Sequence, residues 1–160
     1  MRTWLKILAC VSLAPGAALS APLDGRWEGG DPAAESIYGT MLINGNSVSW
    51  GRNPQKPDCK TNIAVVIEPV GTTFKNQVGV TSVVSANASF STFKVQLNPP
   101  CNGNVVALRF TIPNHDSDYM ALVEYGADSN PLGYMHFVRV NPSIERPHPE
   151  KSSRASQFEH

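Results

Sequence analysis

The fold class is most clearly indicated by the segment Gly39-Thr40-Met41-Leu42-Ile43-Asn44-Gly45-Asn46-Ser47-Val48-Ser49-Trp50-Gly51. Met41 and Ile43 alternate with residues of the opposite face, and after Asn44-Gly45-Asn46 the same alternation resumes at Val48. Alternation with a period of two residues is typical of a strand with one buried face, and an Asn-Gly sequence between two such runs favours a tight turn. This segment therefore predicts a β-hairpin.

The same alternation recurs from residue 22 to residue 141, where no window carries an apolar stripe of helical period and length. Further strands are predicted around Trp27 and at residues 63–67, 80–84, 93–97, 106–112, 119–125 and 132–140. About eight or nine strands with short connections are typical of a sandwich or an up-and-down barrel. Closing a meander into a barrel removes unpaired strand edges. We therefore predict an all-β fold over residues 21–140, a single antiparallel up-and-down barrel.

Composition limits the classes of partner. Of the 160 residues, 13 are Lys or Arg, 13 are Asp or Glu and 41% are hydrophobic, which fits one globular domain. Balanced charge provides no basic field for DNA or RNA, so no nucleic-acid partner is expected. Residues 141–160 are rich in Ser, Pro and ionisable side chains with little to bury, and predict a disordered polar tail.

The first residues resemble an export signal. Arg2 and Lys6 precede an apolar run over residues 7–19, and small residues follow at Ser20 and Ala21. This pattern predicts a signal peptide over residues 1–20, cleaved near Ser20/Ala21, and a secreted or periplasmic protein. The run is shorter than the roughly 20 apolar residues of a membrane-spanning helix, so no membrane insertion is expected.

Two cysteines would remain after cleavage, Cys59 and Cys101. In an oxidising compartment they are predicted to form one disulfide. Closing a loop of this size stabilises a fold by roughly 4 kcal/mol in the chain-entropy description. A metal-binding or nucleophilic cysteine would instead need a nearby His or a second Cys in a short motif, and the sequence has neither.

Three short elements together resemble the lipocalins and the broader calycin group. Gly25-Arg26-Trp27 is similar to the Gly-x-Trp motif of their first strand, and Ser117-Asp118-Tyr119 is similar to their Thr-Asp-Tyr motif. Arg139 is positioned like the family arginine that packs across the first-strand tryptophan, here Trp27. The sequence departs from the family in lacking a C-terminal helix pattern, and the Cys59–Cys101 pair is not the usual family bridge.

The resemblance implies a non-catalytic protein that holds a small apolar or amphipathic molecule inside the barrel, without a cofactor. The residues predicted to contact such a ligand are Met41, Trp50, Phe93 and Phe110, while Trp27, Arg139 and the cysteines have structural roles. These side chains are bulky, and if all point inward they could fill the space themselves.

Two other functions remain open. A solid barrel could bind a protein partner through the polar loops at residues 53–60 and 98–104, joined by the disulfide. An enzyme could use His115, Asp116 and Asp118, which form the densest polar cluster in the sequence. That cluster is one short loop without the ligand spacing of a known metal site, so no metal site is predicted.

Overall fold

The computed structural model describes residues 22–101 and 103–140. The predicted signal peptide (residues 1–20) and the predicted disordered tail (residues 141–160) lie outside the described residues. The strands are β1 (Gly25–Gly29), β2 (Thr40–Asn44), β3 (Ser47–Gly51), β4 (Cys59–Ile67), β5 (Thr73–Lys75), β6 (Thr81–Val83), β7 (Phe90–Asn98), β8 (Ala107–Pro113), β9 (Tyr119–Tyr125) and β10 (Pro131–Arg139), and one helix of the described chain, α1 (Pro32–Ile37), follows β1.

Eight strands form a closed antiparallel barrel in the order β1-β10-β9-β8-β7-β4-β3-β2. Strands that are consecutive in the chain are neighbours in the barrel, apart from the excursion between β4 and β7, and β10 closes on β1. The hairpin predicted from residues 39–51 is formed by β2 and β3, with Met41 opposite Trp50. The predicted all-β up-and-down barrel is therefore confirmed.

The barrel has two ends, which we name by what lies there. The Trp27 end is where β1 begins and β10 finishes, because Trp27 pairs with Arg139. The α1 end is where α1 connects β1 to β2. Strand β5 and strand β6 pair with each other outside the barrel and form a two-stranded hairpin in the excursion between β4 and β7. The strand predicted at residues 80–84 corresponds to β6, and β5 was not predicted.

The short helix α1 was not predicted either, because six residues are too few for a helical stripe. Its local signals are nevertheless present. Asp31 is the N-cap and accepts hydrogen bonds from the backbone N–H groups of Ala33 and Ala34, and Pro32 occupies the first helical position, where its missing N–H costs nothing. Among the described residues, no helix is both long enough and apolar enough to cross a bilayer.

The apolar face of each barrel strand points inward and forms one core. Its largest fully buried aromatic side chains are Trp27, Tyr38, Trp50, Phe93, Phe110 and Phe137. Cys59 and Cys101 form the predicted disulfide, with their Cα atoms 5.6 Å apart. This bond ties the first residue of β4 to the segment that follows β7, at the α1 end of the barrel.

Candidate functional site

The Trp27 end is closed by a tryptophan and an arginine. Trp27 is fully buried and its Nε1 donates a hydrogen bond to the carbonyl of Leu23 (2.8 Å). The guanidinium of Arg139 lies 4.1 Å from the centre of the Trp27 ring and donates to the carbonyls of Pro22 and Ser117. One side chain thus connects the segment before β1 with the turn between β8 and β9.

Gly25 is required by that arrangement. Its backbone adopts a φ of +134°, and a Cβ atom at this position would lie 2.7 Å from Nη1 of Arg139. A side chain would therefore be both strained and in collision with the guanidinium. The Gly-x-Trp element thus has a steric reason within this chain, independent of any family.

The four predicted ligand contacts, Met41, Trp50, Phe93 and Phe110, lie in the core and are each at most 2% exposed. The structure brings them together in one cluster, but the protein's own side chains occupy the space around them. A molecule bound inside the barrel would have to take the place of a side chain that can leave. Tyr38 is the candidate, because it is the fully buried aromatic residue of the described core that belongs to no barrel strand.

Tyr38 forms the C-cap of α1 and inserts its ring into the core at the α1 end. The ring centroid lies 5.1 Å from that of Trp50 and 5.6 Å from that of Phe137. The phenol donates a hydrogen bond to Oε1 of Glu124, a carboxyl group that is only 7% exposed. Two polar groups thus meet inside an otherwise apolar enclosure.

Burial, with a further contribution from the neighbouring Glu124 carboxyl, raises the pKa of Tyr38 far above its ordinary value of 10.0. A phenol is protonated at physiological pH even with its ordinary pKa, and burial strengthens that preference, so Tyr38 acts as the donor to Glu124. The second carboxyl oxygen of Glu124 lies against Gly133, where a Cβ atom would come within 2.3 Å of it. A glycine at this position of β10 leaves the room that the buried carboxyl group needs.

Sequence reasoning missed Tyr38 and Glu124 as site residues. A signal for Glu124 was present, because the alternation along β9 places Met120, Leu122 and Glu124 on one face. A carboxyl group on an apolar inward face is an informative exception. No comparable signal existed for Tyr38, whose position depends on the path of the chain between β1 and β2.

The polar loop of His115, Asp116 and Asp118 is an exposed turn between β8 and β9. Asp116 accepts a hydrogen bond from the backbone N–H of Asp118 (3.1 Å), and the Asp118 carboxylate lies 3.7 Å from Nε of Arg139. Nothing in this geometry aligns the His115 imidazole with a carboxylate. Across residues 22–101 and 103–140, no three His, Cys, Asp or Glu side chains form a set that could hold a metal ion.

A second histidine, His136 on β10, does contact a carboxylate. Its Nδ1 lies 3.6 Å from Asp31, which also accepts a hydrogen bond from the His136 backbone N–H (2.6 Å), and its Nε2 lies 2.8 Å from the hydroxyl of Tyr134. Burial acts to raise the pKa of Asp31, but the hydrogen bonds from Ala34, His136 and Ala33 outweigh it and lower the pKa below 3.8. The Asp31 carboxylate thus links α1 to β10 through these hydrogen bonds.

The loops predicted as a protein-binding surface are joined as expected by the disulfide. The hydroxyl of Thr61 also donates a hydrogen bond to the carbonyl of Pro99 (2.6 Å). Within the described part of these loops, residues 53–60, 98–101 and 103–104, no large apolar side chain is exposed. The surface therefore offers no apolar anchor of the kind that dominates binding energy in protein interfaces.

No protein-family model matches the chain, and no curated protein or solved structure matches it. The closed barrel of eight antiparallel strands is consistent with a calycin-like fold.

Proposed function

We propose that the protein is a secreted or periplasmic, non-catalytic binding protein with a lipocalin-like barrel that holds a small amphipathic ligand at its α1 end. The observation that carries the proposal is the hydrogen bond between the phenol of Tyr38 and the buried carboxyl group of Glu124. The closed barrel and the Trp27–Arg139 stack at the opposite end support the lipocalin-like part of it.

A buried carboxyl group is energetically unfavourable in a protein core. Moving such a group out of water is unfavourable, and an apolar side chain of similar size would stabilise a barrel at least as well. Ligand pockets, in contrast, are apolar enclosures with a few convergent polar groups that orient the ligand. Glu124 is buried and accepts a hydrogen bond from Tyr38, whose ring packs against Trp50 and Phe137, so it has the character of such a group.

In the ligand-free protein, Tyr38 then occupies the position that the ligand would take. It fills the enclosure with an aromatic ring and supplies one hydrogen-bond donor to Glu124. A competing molecule must offer the same features, so the expected ligand is a single aromatic ring that carries a hydroxyl or an ammonium group. It would enter by displacing Tyr38 together with the end of α1.

The test replaces Tyr38 by alanine and supplies the missing side chain as p-cresol. In Tyr38→Ala the ring and its hydroxyl are absent and Glu124 loses its donor. We expect p-cresol to raise the unfolding temperature of this variant by about 5 °C or more at saturation, because a ligand that binds only the folded state stabilises it. Calorimetry or near-UV circular dichroism would measure the shift.

Two matched variants control the experiment. Tyr119→Ala removes a tyrosine from the outer face of β9, and its unfolding temperature should respond to p-cresol far less than that of Tyr38→Ala, because Tyr38 still occupies the enclosure. In Tyr38→Ala/Glu124→Leu the acceptor is gone as well, and the affinity for p-cresol should fall about tenfold or more. Equal responses of Tyr38→Ala and Tyr119→Ala, or none in either, would refute the interior site.

The wild-type protein gives a direct readout. Native mass spectrometry of protein purified from its own secretory compartment should detect a retained small molecule that has an aromatic ring and a hydroxyl or an amine. A copurified protein in its place would favour the alternative of a barrel that binds a protein partner through its loops.

A further inference from the structure

We propose a second binding site, on the outer wall of the barrel beneath the β5–β6 hairpin, for a small organic carboxylate with an apolar body. It is independent of the interior ligand, because the two sites lie on opposite faces of β8. Leu108 and Phe110 point into the core, whereas Arg109 lies between them on the outer face.

The site is a cleft of about 500 Å³ between the hairpin and the outer faces of β7, β8 and β9. Phe74 and Lys75 of β5 form one side, and Lys94 and Arg109, which are opposite each other in the β7–β8 pair, form the floor. Tyr125 of β9 joins the two sides, because its hydroxyl donates a hydrogen bond to the carbonyl of Lys75. This hydrogen bond therefore holds the β5–β6 hairpin against the outer face of the barrel.

Arg109 is the centre of the cleft. It is 5% exposed, its Nε pairs with the carboxylate of Glu68, and its guanidinium stacks on the ring of Phe74. Its Nη2 nitrogen is buried and has no hydrogen-bond partner among the described residues. A guanidinium presents a planar fork of donors that fits two oxygens of one carboxylate, and here part of the fork is left unused.

Charge and polarity identify the missing partner. Three cationic side chains line the cleft, those of Lys75, Lys94 and Arg109, against the single carboxylate of Glu68, so the surplus charge is positive. The remaining surface includes Phe74 and Ala107, which are apolar. An anion with an apolar body satisfies both features, since its charge reaches the guanidinium while its hydrocarbon part lies along the wall.

A carboxylate fits better than a phosphate. It brings one negative charge, whereas phosphate brings about −1.5 to −2 at neutral pH. The second charge of phosphate would lie beside the Glu68 carboxylate, which is already paired with Nε of Arg109. Neighbouring negative charges repel each other. Inorganic phosphate also leaves the apolar part of the cleft without a contact.

Octanoate is the probe, and titration calorimetry or changes in the NMR signals of Arg109 and Lys94 give the readout. Octanol, which has the same chain without the charge, is the matched ligand control. We expect octanoate to bind the full chain with the signal changes confined to the cleft, and octanol to bind at least about tenfold more weakly, because hydrogen bonds to a charged group are lost.

Two variants of different kinds locate the binding. Arg109→Met/Glu68→Met replaces both members of the buried pair by apolar residues of similar length, so that no unpaired charge remains. Ala127→Trp fills the mouth of the cleft from an exposed turn and leaves the buried pair intact, which keeps the test valid if the double variant does not fold. Each should lower the affinity for octanoate at least about tenfold.

Their controls lie away from the cleft, Lys60 on the outer face of β4 and Ala33 on α1. Lys60→Gln removes one exposed positive charge and Ala33→Trp adds one exposed indole, and neither should change octanoate binding. Lys94→Gln, with the same loss of charge inside the cleft, should weaken it. The proposal is overturned if octanoate does not bind at millimolar concentration, if octanol or inorganic phosphate binds as tightly, or if Ala127→Trp binds octanoate unchanged.

Discussion

At the scale of single residues, one arginine organises an entire end of the barrel. Arg139 stacks on Trp27 and donates hydrogen bonds to three backbone carbonyls, those of Pro22, Asp24 and Ser117. Its side chain is only 19% exposed and its hydrogen bond to Asp24 is partly buried, so solvent screens this guanidinium less than it screens an exposed cation. Such a residue is expected to contribute far more than an ordinary surface cation.

Replacing Arg139 by alanine tests that expectation. We predict a loss of about 2–4 kcal/mol in the free energy of unfolding, because a cation–π contact and several charge-assisted hydrogen bonds are removed together. Arg139→Lys should recover less than half of the loss, since an ammonium cannot reproduce the planar fork. Urea unfolding curves with unchanged slopes would measure both values.

Arg26 on β1 provides the matched control. It forms an ion pair with Glu28, but both side chains are about half exposed, at 47% and 52%. Arg26→Ala should leave the urea midpoint almost unchanged, as is usual for an exposed pair. If Arg139→Lys proved as stable as the wild type, charge alone would account for the arrangement and the role of the fork would be wrong.

At the scale of secondary-structure elements, predictability from sequence follows the length of each element. Long barrel strands such as β7 and β8 carry several periods of apolar alternation, so both their presence and the side chains that point inward were predictable. β5 has three residues and α1 has six, too few for a period to be recognised, whereas β6, which is as short as β5, is the exception and was predicted within residues 80–84. The helix start could have been found from Asp31-Pro32, a cap followed by a first-turn proline.

The same limit applies to the two candidate sites. The alternation along β9 predicts that Glu124 points inward, so one of the two polar residues of the interior site could be predicted from sequence. Tyr38 and Arg109 were not, because a loop segment buries the first and a hairpin folding over the wall buries the second. Burial of this kind depends on contacts between residues far apart in the chain, which local patterns do not encode.

The Asp31 carboxylate is one of the groups that attach helix α1 to β10, beside the backbone hydrogen bond from Gly30 to His136. Asp31 caps the helix and accepts a hydrogen bond from the backbone N–H of His136 on β10. Asp31→Ala should cost about 1–2 kcal/mol, the usual range for loss of a helix cap. Because Tyr38 ends the helix, this variant should also bind p-cresol more readily than the wild type does.

The pH dependence gives an independent measurement. The folded-state pKa of Asp31 is lowered, so its contribution to stability is fully present above 3.8 and is lost as pH falls through the lower folded-state value. Asp31→Asn keeps a capping oxygen but does not titrate. The difference in unfolding free energy between wild type and Asp31→Asn should therefore shrink in acid, and a constant difference from neutral pH to below 3.8 would contradict the assignment.

At the scale of the whole molecule, the disulfide and the interior site share the α1 end of the barrel. Cys59 begins β4 directly opposite Trp50, one of the rings that enclose Tyr38. The bond joins residues 42 positions apart in the chain. Its effect is expected to act chiefly on the unfolded chain, whose freedom it restricts.

Removing the bond should therefore separate stability from binding. Cys59→Ser/Cys101→Ser is predicted to lose about 3–4 kcal/mol of unfolding free energy, measured by urea or thermal unfolding. The barrel pairing of β3 with β4 and the hydrogen bond from Thr61 to Pro99 do not involve sulfur, so the folded enclosure should persist. Below the unfolding transition, p-cresol should bind Tyr38→Ala with the same affinity whether or not the cysteines are present. An affinity that falls together with the stability would mean that the bond shapes the site itself, since a constraint on the unfolded chain alone cannot alter binding to the folded state.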